Sequence, residues 1–519
     1  MPRLTTVPDA FNQAVYLVDR HLEEGEGNNV AIRFEDQKIT YAVLAAAVNR
    51  AGNAFRSVGV DMENRVMILM PDRPEFFYSY LGAMKIGAVP VPVNTLALPK
   101  DYAYFLNNSR AKVLVVSADL LPKVEQVKSE LTFLRHVLVV GEAPAGTLSF
   151  EALVTKMSDK LEPAPTSKDD MAFWMYTSGT TGQPKAVVHL HHDIIHYMYP
   201  FAEEVVHMTP QDVVMATSKM FFSYGRNASL ELPLLFGGCS VLCSQWPDAA
   251  MVFQLAAEYR PSIFFSVPTF YASMLRELDK GTAADFSSVR VAFSSGEPMP
   301  RDIWERWKAK TGIEVLDIMG STDAGAQYLA NRPGQVKAGS SGKLIDAFDG
   351  HIRDGSGADV PEGQVGTLWL RNDGIAACYW NRHQRSREVF QGEWFNTGDL
   401  FYRDADGCLW FQGREDDMLK VSGQWVSPME IEDVLMRHKA VREVGVIGVP
   451  DAQGLVRVKA FIMLNDGYQP SPQLEKELVD FVHDRIAHFK TPRWVQFVRE
   501  LPRTTTGKLQ RHKLRTGQV

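Results

Sequence analysis

The segment Met175–His189, MYTSGTTGQPKAVVH, concentrates hydroxyl, glycine and lysine residues between two apolar runs. Its glycines let backbone N–H groups converge, its hydroxyls supply further donors, and Lys185 adds a positive charge. This combination is suited to hold phosphate groups. The segment is not a Walker A loop, because Gly182 is followed by Gln183 and not by the Lys–Ser/Thr pair of that motif. We predict that it binds a polyphosphate.

A second candidate site is HDIIH at His192–His196, which differs by one residue from the HExxH zinc motif. An aspartate in place of the general-base glutamate is unusual, and the sequence offers no evident third ligand. The pattern is therefore more typical of an ordinary helix after the glycine-rich loop than of a zinc hydrolase site.

The chain also has a basic C-terminal stretch, since between Arg485 and Arg515 only Glu500 opposes the lysines and arginines. Such a stretch is consistent with a nucleic-acid arm, a solvated surface, or a segment that closes over an anionic ligand. Aromatic stacking motifs and a nucleic-acid-binding fold are missing, which disfavours the first interpretation.

Five further polar or glycine-rich motifs follow in order along the chain. They are SSGEPMP at Ser294–Pro300, DIMGSTD at Asp317–Asp323, WFNTGD at Trp394–Asp399, GREDDMLKVSGQWVSPMEIE at Gly413–Glu432 and PRTTTGKLQR at Pro502–Arg511. Together with YTSGTTGQPK, they resemble the signature motifs of the adenylate-forming superfamily, which includes acyl- and aryl-CoA ligases, peptide-synthetase adenylation domains and firefly luciferase. The resemblance implies an enzyme that uses ATP to activate a carboxylate as an acyl-adenylate, with release of pyrophosphate.

The resemblance also assigns roles to residues of this chain. Lys508 bridges the substrate carboxylate and the α-phosphate, Thr322 contacts the α-phosphate, and Lys185 acts with the glycine-rich loop on the leaving pyrophosphate; these three form the expected catalytic set. Asp323 is the expected Mg²⁺ ligand, whose carboxylate suits this hard cation. The residues expected to bind ATP or AMP are Thr177, Ser178, Gly179, Thr180, Thr181, Gly182, Gly296, Glu297, Pro298, Asp317, Ile318, Met319, Gly320, Ser321, Thr322, Asp399 and Arg414.

Members of this superfamily run a second half-reaction, in which the C-terminal domain rotates and the thiol of coenzyme A attacks the acyl-adenylate. In this chain Asp416 matches the hinge position. Ser422, Gly423 and Gln424 match the loop that approaches the pantetheine channel in the second conformation. Coenzyme A is therefore the expected co-substrate, and domain alternation gives one pocket two reactions.

The segment KMFFSYGRN at Lys219–Asn227 resembles that of benzoate-type aryl-CoA ligases. The residues expected to line the acyl pocket are Phe222, Ser223, Tyr224, Gly225, Ala324, Gly325, Ala326 and Gln327. An aromatic wall and a glycine floor favour a planar ring. Ser223 and Gln327 are candidates to hydrogen-bond an amino or hydroxyl substituent, as in 2-aminobenzoate or a hydroxybenzoate, or else they serve local structure only.

Two positions depart from the family pattern: Asp323 stands where a glutamate is usual, and Met319 where an aromatic residue is usual. Two other functions remain open. A stand-alone adenylation enzyme would load an aryl acid onto the phosphopantetheine of a carrier protein by the same first step. A non-catalytic relative would be expected to lack Lys508 or Asp399, and both are present.

The elements that must position these residues alternate between short β-rich runs and helical patterns, as in RVMILM at Arg65–Met70 followed by Glu75–Ala88. This alternation predicts an α/β fold with mostly parallel sheets covered by helices. From Ser340 to Gln412 glycine-punctuated short strands predict a small antiparallel unit. We therefore predict a large N-terminal domain over 1–413, which binds ATP and the acyl group, and a smaller mobile α+β domain over 414–519.

Composition agrees with an enzyme-sized globular chain: 519 residues with 45% hydrophobic and 23% charged residues are too many for a single core. The four cysteines cannot form a disulfide framework in so long a chain. No apolar run approaches the length of a membrane span, and the first residues lack the apolar region of a secretory signal. A cytoplasmic enzyme without nucleic-acid or membrane partners is the expectation.

Overall fold

The chain is described by a computed structural model over residues 6–177, 183–421, 424–452, 454–503 and 509–517, without the side chains of residues 416, 420, 424 and 425. It divides into two compact units. The first unit comprises Met1–Asp349 and Leu370–Phe395, and the second comprises Gly350–Trp369 and Asn396–Val519. This division does not test the predicted domain boundary between 413 and 414 or the predicted hinge, and both stay predictions.

The first unit contains a nine-stranded sheet, in which six neighbouring central strands are parallel. In spatial order its strands are Lys343–Leu344, Gln327–Ala330, Val315–Gly320, Val291–Ser294, Ile263–Ser266, Val213–Ala216, Cys239–Leu242, Val30–Phe34 and Gln37–Thr40. The strands Ile263–Ser266 and Val291–Ser294 are buried at every residue, as expected for parallel strands with both faces covered.

Two further sheets belong to this unit. A five-stranded parallel sheet has the order Val89–Pro92, Arg65–Leu69, Val113–Ser117, His136–Val140 and Leu148–Ser149. A three-stranded antiparallel sheet has the order Cys378–Tyr379, Lys185–Leu190 and Met171–Thr177.

Helices of the first unit cover these sheets. The α-helices are Arg20–Glu23, Tyr41–Ser57, Pro74–Lys85, Pro99–Ser109, Leu121–Glu125, Phe150–Val154, Asp193–Phe201, Ser223–Arg226, Leu232–Phe236, Ala249–Tyr259, Pro268–Asp279, Arg301–Thr311 and His383–Val389. The π-helical turns are Val15–Asp19, Ala202–Val206 and Asn227–Glu231, and Lys128–Glu130 is a 3₁₀ turn. Helix Ala249–Tyr259 begins where the Asp248 side chain accepts a hydrogen bond from the Met251 N–H, which caps its first turn.

Besides Cys378–Tyr379, the strands described between residues 349 and 414 are Asp349–Arg353, Gly366–Arg371, Phe390–Gln391, Trp394–Arg403 and Leu409–Arg414. Residues 399–403 of the strand Trp394–Arg403 pair with Leu409–Arg414 as an antiparallel hairpin within the second unit. The predicted change from a parallel to an antiparallel pattern in this part of the chain is confirmed.

The rest of the second unit is α+β. Its strands are Leu419–Val421, Gln424–Val426, Val441–Pro450, Val456–Leu464 and Trp494–Phe497, its α-helices are Pro428–Met436, Pro472–His483 and Arg511–Arg515, and its 3₁₀ turns are Glu415–Asp417 and His488–Lys490. Helix Pro472–His483 is capped by Ser471 and buries Leu474, Leu478 and Val482, which share one face at four-residue spacing. The predicted fold, helix-covered parallel sheets with a separate smaller C-terminal domain, is confirmed.

Other sequence expectations can be compared with this fold. The four cysteines are free, as expected. HDIIH lies at the start of helix Asp193–Phe201, in agreement with the helix interpretation. The His192 ring nitrogens lie 2.8 and 3.1 Å from the carbonyl oxygens of Lys168 and Asp373. In the described part of the chain, no helix is long and apolar enough to span a bilayer.

Part of the basic C-terminal stretch is neutralised inside the second unit. Cations of this stretch pair with carboxylates: Arg503 with Glu443 at 2.8 Å, Arg511 with Glu432 at 2.6 Å, Arg515 with Asp417 at 3.1 Å and Lys490 with Glu430 at 2.6 Å. The stretch is thus held by acidic partners and is not a uniform cationic surface.

Candidate active site

Three predicted motif segments follow the carboxyl ends of parallel strands in the nine-stranded sheet. The acyl segment follows Val213–Ala216, the SSGEPMP motif spans the end of Val291–Ser294, and the DIMGSTD motif spans the end of Val315–Gly320. Because these strands are parallel members of one sheet, their carboxyl ends meet at the same edge. Ligands of open α/β sheets bind at this edge.

Lys185 and Asp323 lie close together, although 138 residues separate them. Lys185 Nζ is 3.2 Å from Asp323 Oδ1, and the Tyr379 hydroxyl forms a hydrogen bond with each of these two groups. That hydroxyl accepts a hydrogen bond from Lys185 Nζ at 2.7 Å and donates one to Asp323 Oδ1 at 2.5 Å. Sequence reasoning missed Tyr379, whose short strand Cys378–Tyr379 pairs with Lys185–Leu190.

The surroundings of Asp323 keep its carboxyl group ionised. Burial opposes ionisation, but the charge of Lys185 and the hydrogen bond from Tyr379 outweigh it and hold the pKa of Asp323 below its ordinary value. The side chain keeps 13% of its surface exposed. An accessible, ionised carboxylate is the ligand that Mg²⁺ prefers, so the residue fits the predicted metal role.

Behind this pair, His189 supports the backbone of the metal motif. Its Nε2 donates a hydrogen bond to the Thr322 carbonyl at 2.7 Å, and its Nδ1 lies 2.7 Å from Asp193 Oδ2. Both His189 and Asp193 are fully buried, and the His189 ring stacks on Phe173 with centroids 4.9 Å apart. Sequence reasoning saw no separate signal at His189.

The DIMGSTD motif runs from strand to turn. Asp317 accepts a hydrogen bond from the Met299 N–H at 3.3 Å, and burial raises its pKa to about 8. Ile318 and Met319 continue the strand. Gly320 lies so close to the Ala326 carbonyl that a Cβ would stand 2.4 Å from its oxygen, and the Ser321 hydroxyl caps the turn by accepting from the Ala324 N–H at 3.1 Å. Thr322 keeps part of its surface exposed.

The predicted adenine segment is accessible. Gly296 has a φ of +92°, which glycine adopts without strain. Gly296 and Pro298 are exposed and Glu297 is partly exposed. The segment therefore leaves its backbone open at the carboxyl edge of the sheet.

The predicted acyl-pocket residues come from two segments. Phe222, Ser223 and Tyr224 each keep part of their surface exposed, and the Tyr224 hydroxyl donates to the Ser266 carbonyl at 3.1 Å. Gly225 is buried against backbone, because a Cβ there would stand 2.2 Å from the Lys219 carbonyl oxygen. Close packing against the Lys219 backbone therefore requires a glycine at position 225.

The second segment, Ala324, Gly325, Ala326 and Gln327, is buried. Gly325 has a φ of +79°, and a Cβ there would stand 2.2 Å from the Tyr197 ring. The Gln327 side-chain oxygen is buried and has no hydrogen-bond partner within the described ranges. A buried amide oxygen without a partner can accept a hydrogen bond from a donor that reaches it.

The predicted ribose residues belong to the second unit. Asp399 and Arg414 are register partners on neighbouring strands, and Arg414 Nη1 lies 2.9 Å from Asp399 Oδ1. Asp399 is 5% exposed, whereas the Arg414 side chain is 42% exposed.

Several predicted site residues lie outside the described residues. They are Ser178, Gly179, Thr180, Thr181 and Gly182 of the phosphate loop, Ser422 and Gly423, and Lys508. The loop's flanks are described: Thr177 and Lys185 are register partners of an antiparallel pair. Asp416 lies in the 3₁₀ turn Glu415–Asp417, and Gln424 begins the strand Gln424–Val426.

Known proteins are similar to this chain in both sequence and fold. The AMP-binding enzyme family matches residues 18–380, and the AMP-binding enzyme C-terminal domain matches residues 430–508. The chain therefore belongs to the AMP-binding enzyme family, and the predicted membership in the adenylate-forming superfamily is confirmed.

Among its relatives, a benzoate–CoA ligase of Thauera aromatica is 39% identical over 99% of this chain and 98% of its own length. A 4-hydroxybenzoate–CoA/benzoate–CoA ligase of Rhodopseudomonas palustris is 38% identical over 97% of this chain and 94% of its own length. The crystal structure of the anthranilate CoA ligase AuaEII with anthranoyl-AMP is 37% identical, covers 98% of both chains and has a TM-score of 0.90. The predicted similarity to benzoate-type aryl-CoA ligases is thereby confirmed.

Proposed function

We propose that the protein is an ATP-dependent aryl-CoA ligase that activates benzoate or a substituted benzoate and transfers it to coenzyme A. The observation that carries the proposal is the meeting of the SSGEPMP, DIMGSTD and acyl segments at one edge of the nine-stranded sheet. Relatives named as benzoate, hydroxybenzoate and anthranilate ligases, which align over 87% or more of the chain, support the aromatic substrate.

In the first half-reaction, a carboxylate oxygen of the aromatic acid attacks the α-phosphorus of ATP, and the bond to pyrophosphate breaks. Lys185 and the loop before it bind the departing phosphates, Thr322 contacts the α-phosphate, and Lys508 bridges the two reacting anions. Asp323 would hold Mg²⁺, which when bound would neutralise phosphate charge. Fixed cations placed where negative charge develops lower the barrier.

In the second half-reaction, the coenzyme A sulfur attacks the acyl carbonyl carbon, and AMP leaves with the bonding electrons. Asp416 serves as the hinge, and Ser422, Gly423 and Gln424 approach the pantetheine arm. Asp399 and Arg414 hold the ribose, while Gly296, Glu297 and Pro298 border the adenine. The location of the protein in the cytoplasm stays a prediction.

ATP–pyrophosphate exchange tests the first half-reaction with a panel of benzoate, 2-aminobenzoate, hydroxybenzoates, cinnamates and medium-chain fatty acids. We expect exchange only with benzoates, and release of AMP once free coenzyme A is added. Exchange with fatty acids alone would refute the aryl assignment. Exchange without a thioester on free coenzyme A would favour loading of a carrier protein.

Lys508→Ala separates the two half-reactions. We expect loss of exchange, while thioester formation from supplied aryl-AMP continues, because the lysine acts only in adenylation. The matched control is Lys513→Ala, which removes a charge from the same basic stretch without a predicted role. Loss of both half-reactions together in Lys508→Ala would contradict the assignment.

A further inference from the structure

The buried Asn227 connects the two segments predicted to form the acyl pocket. It is 2% exposed and is the first residue of the π-helical turn Asn227–Glu231. Its Nδ2 donates a hydrogen bond to the Gly325 carbonyl at 2.8 Å, and its Oδ1 accepts one from the Ser223 hydroxyl at 3.3 Å. One amide thus contacts both segments.

The orientation of this amide follows from its partners. The Gly325 carbonyl can only accept, so the NH₂ group faces it. Arg226 Nη2 can only donate, and it lies 3.4 Å from Asn227 Oδ1. Arg226 is itself fully buried and held by Glu231 Oε1 at 2.8 Å.

The two segments do not follow neighbouring strands of the sheet. The strands that precede them, Val213–Ala216 and Val315–Gly320, are separated by Ile263–Ser266 and Val291–Ser294 in the sheet. Neighbouring strands lie about 4.8 Å apart, so the two strands are about 14 Å apart. Within the described ranges, no backbone hydrogen bond joins the segments that follow these strands, whereas the Asn227 side chain does.

The bridge meets a segment that is fixed from its other side. Gly325 lies directly against the Tyr197 ring, whose hydroxyl donates to Glu231 Oε1 at 2.8 Å. The same glutamate oxygen accepts a hydrogen bond from Arg226 Nη1. Gly325 therefore lies between Tyr197 and Asn227, and Glu231 and Arg226 connect these two side chains. The position of the Ala324–Gln327 segment relative to Ser223 therefore depends on Asn227.

We propose that Asn227 is a positioning residue that sets substrate selectivity, because its amide fixes the separation of the two walls of the acyl pocket. The proposal rests on the aryl-CoA ligase function only for the identity of the acids. Loss of the bridge lets the walls separate, so acids of different width are discriminated less. A variant without the bridge keeps its affinity for the nucleotide and for Mg²⁺, because other residues bind them.

The test is Asn227→Ala, assayed as the ratio of kcat/KM between the acid that the wild type activates best and the next one in the panel. We expect this ratio to fall about tenfold and the KM for the acid to rise, while the KM for ATP stays unchanged. Asn227→Asp keeps the acceptor for Ser223 but places a carboxylate oxygen against the Gly325 carbonyl, so the bridge is lost and we expect the ratio to fall at least as far.

The matched control is Asn331→Ala. Asn331 is also 2% exposed, and its Nδ2 donates to the carbonyls of Asp317 and Ser340 at 3.1 and 2.9 Å, next to the predicted nucleotide residues. We expect it to lower thermal stability similarly and to leave the selectivity ratio unchanged. An unchanged ratio in both Asn227 variants, or an equal fall in Asn331→Ala, would overturn the proposal. A wild type that prefers non-aromatic acids would refute the aryl function alone, since the ratio is measured on whichever acids it activates.

Discussion

The buried pair His189–Asp193 leads to a prediction that separates its two hydrogen bonds. His189→Gln places an amide donor near the position of Nε2 and preserves the bond to the Thr322 carbonyl. His189→Asn places the donor near Nδ1 and preserves the bond to Asp193. The two variants thus each keep one of the two contacts that measure 2.7 Å in the wild type.

The expected magnitudes follow from burial. Asp193 is fully buried, and it also accepts a hydrogen bond from the Leu190 N–H. Removing its imidazole partner leaves a buried carboxyl group less satisfied, which costs about 3 kcal/mol of the free energy of unfolding. The bond to Thr322 is a single hydrogen bond to a backbone carbonyl, worth about 1 kcal/mol, so its loss slows adenylation about fivefold.

The assays are urea unfolding and ATP–pyrophosphate exchange at several Mg²⁺ concentrations. We expect His189→Gln to lose stability and to retain most of its exchange rate. We expect His189→Asn to retain more stability, to exchange more slowly and to need more Mg²⁺, because the backbone before Asp323 is no longer held. Equal exchange rates in the two variants would refute the argument that His189 positions the metal motif.

Three further predictions concern single contacts. Tyr379→Phe removes a hydrogen bond that stabilises an ionised carboxylate, so we expect a higher Mg²⁺ concentration for half-maximal exchange, and an unchanged requirement would contradict it. Gly325→Ala forces a Cβ against the Tyr197 ring and lowers the free energy of unfolding by about 2 kcal/mol more than the control Gly334→Ala, whose positive φ faces open space. Burial raises the pKa of Asp72 from 3.8 to about 6, so the folded state binds more protons than the unfolded state, and stability falls as pH rises from 4 to 6. We expect Asp72→Asn to lack that decline in urea unfolding measured across this interval, and the same decline in both proteins would refute it.

Much of the fold was predictable because it depends on local patterns. The apolar run Arg65–Met70 and the helical pattern Glu75–Ala88 predict a strand and a helix, and the structure has the strand Arg65–Leu69 and the helix Pro74–Lys85 there. The positions of the motifs after strands also follow from these patterns, since parallel strands present their carboxyl ends together.

Other features depend on contacts between distant parts of the chain. Tyr379 reaches Lys185 and Asp323 only because a two-residue strand pairs with Lys185–Leu190, and two residues carry no periodic signal. Asn227 and Gly325 are 98 residues apart, and their hydrogen bond depends on the packing of helix against sheet. Charge counting likewise could not show that Arg511 lies against Glu432, because sequence gives composition and not pairing.

The register of the pair Met171–Thr177 and Lys185–Leu190 has an evolutionary consequence. Lys185 faces Asp323 and Tyr379 only because it is the register partner of Thr177, and its neighbour Ala186 points to the opposite face of the strand. Gain or loss of one residue within 178–184, followed by re-pairing of the strands, would turn the lysine away from both partners. The strand register therefore constrains the length of this loop, in addition to the chemistry that its phosphate-binding residues must keep. A fixed loop length should mark the active descendants of this chain.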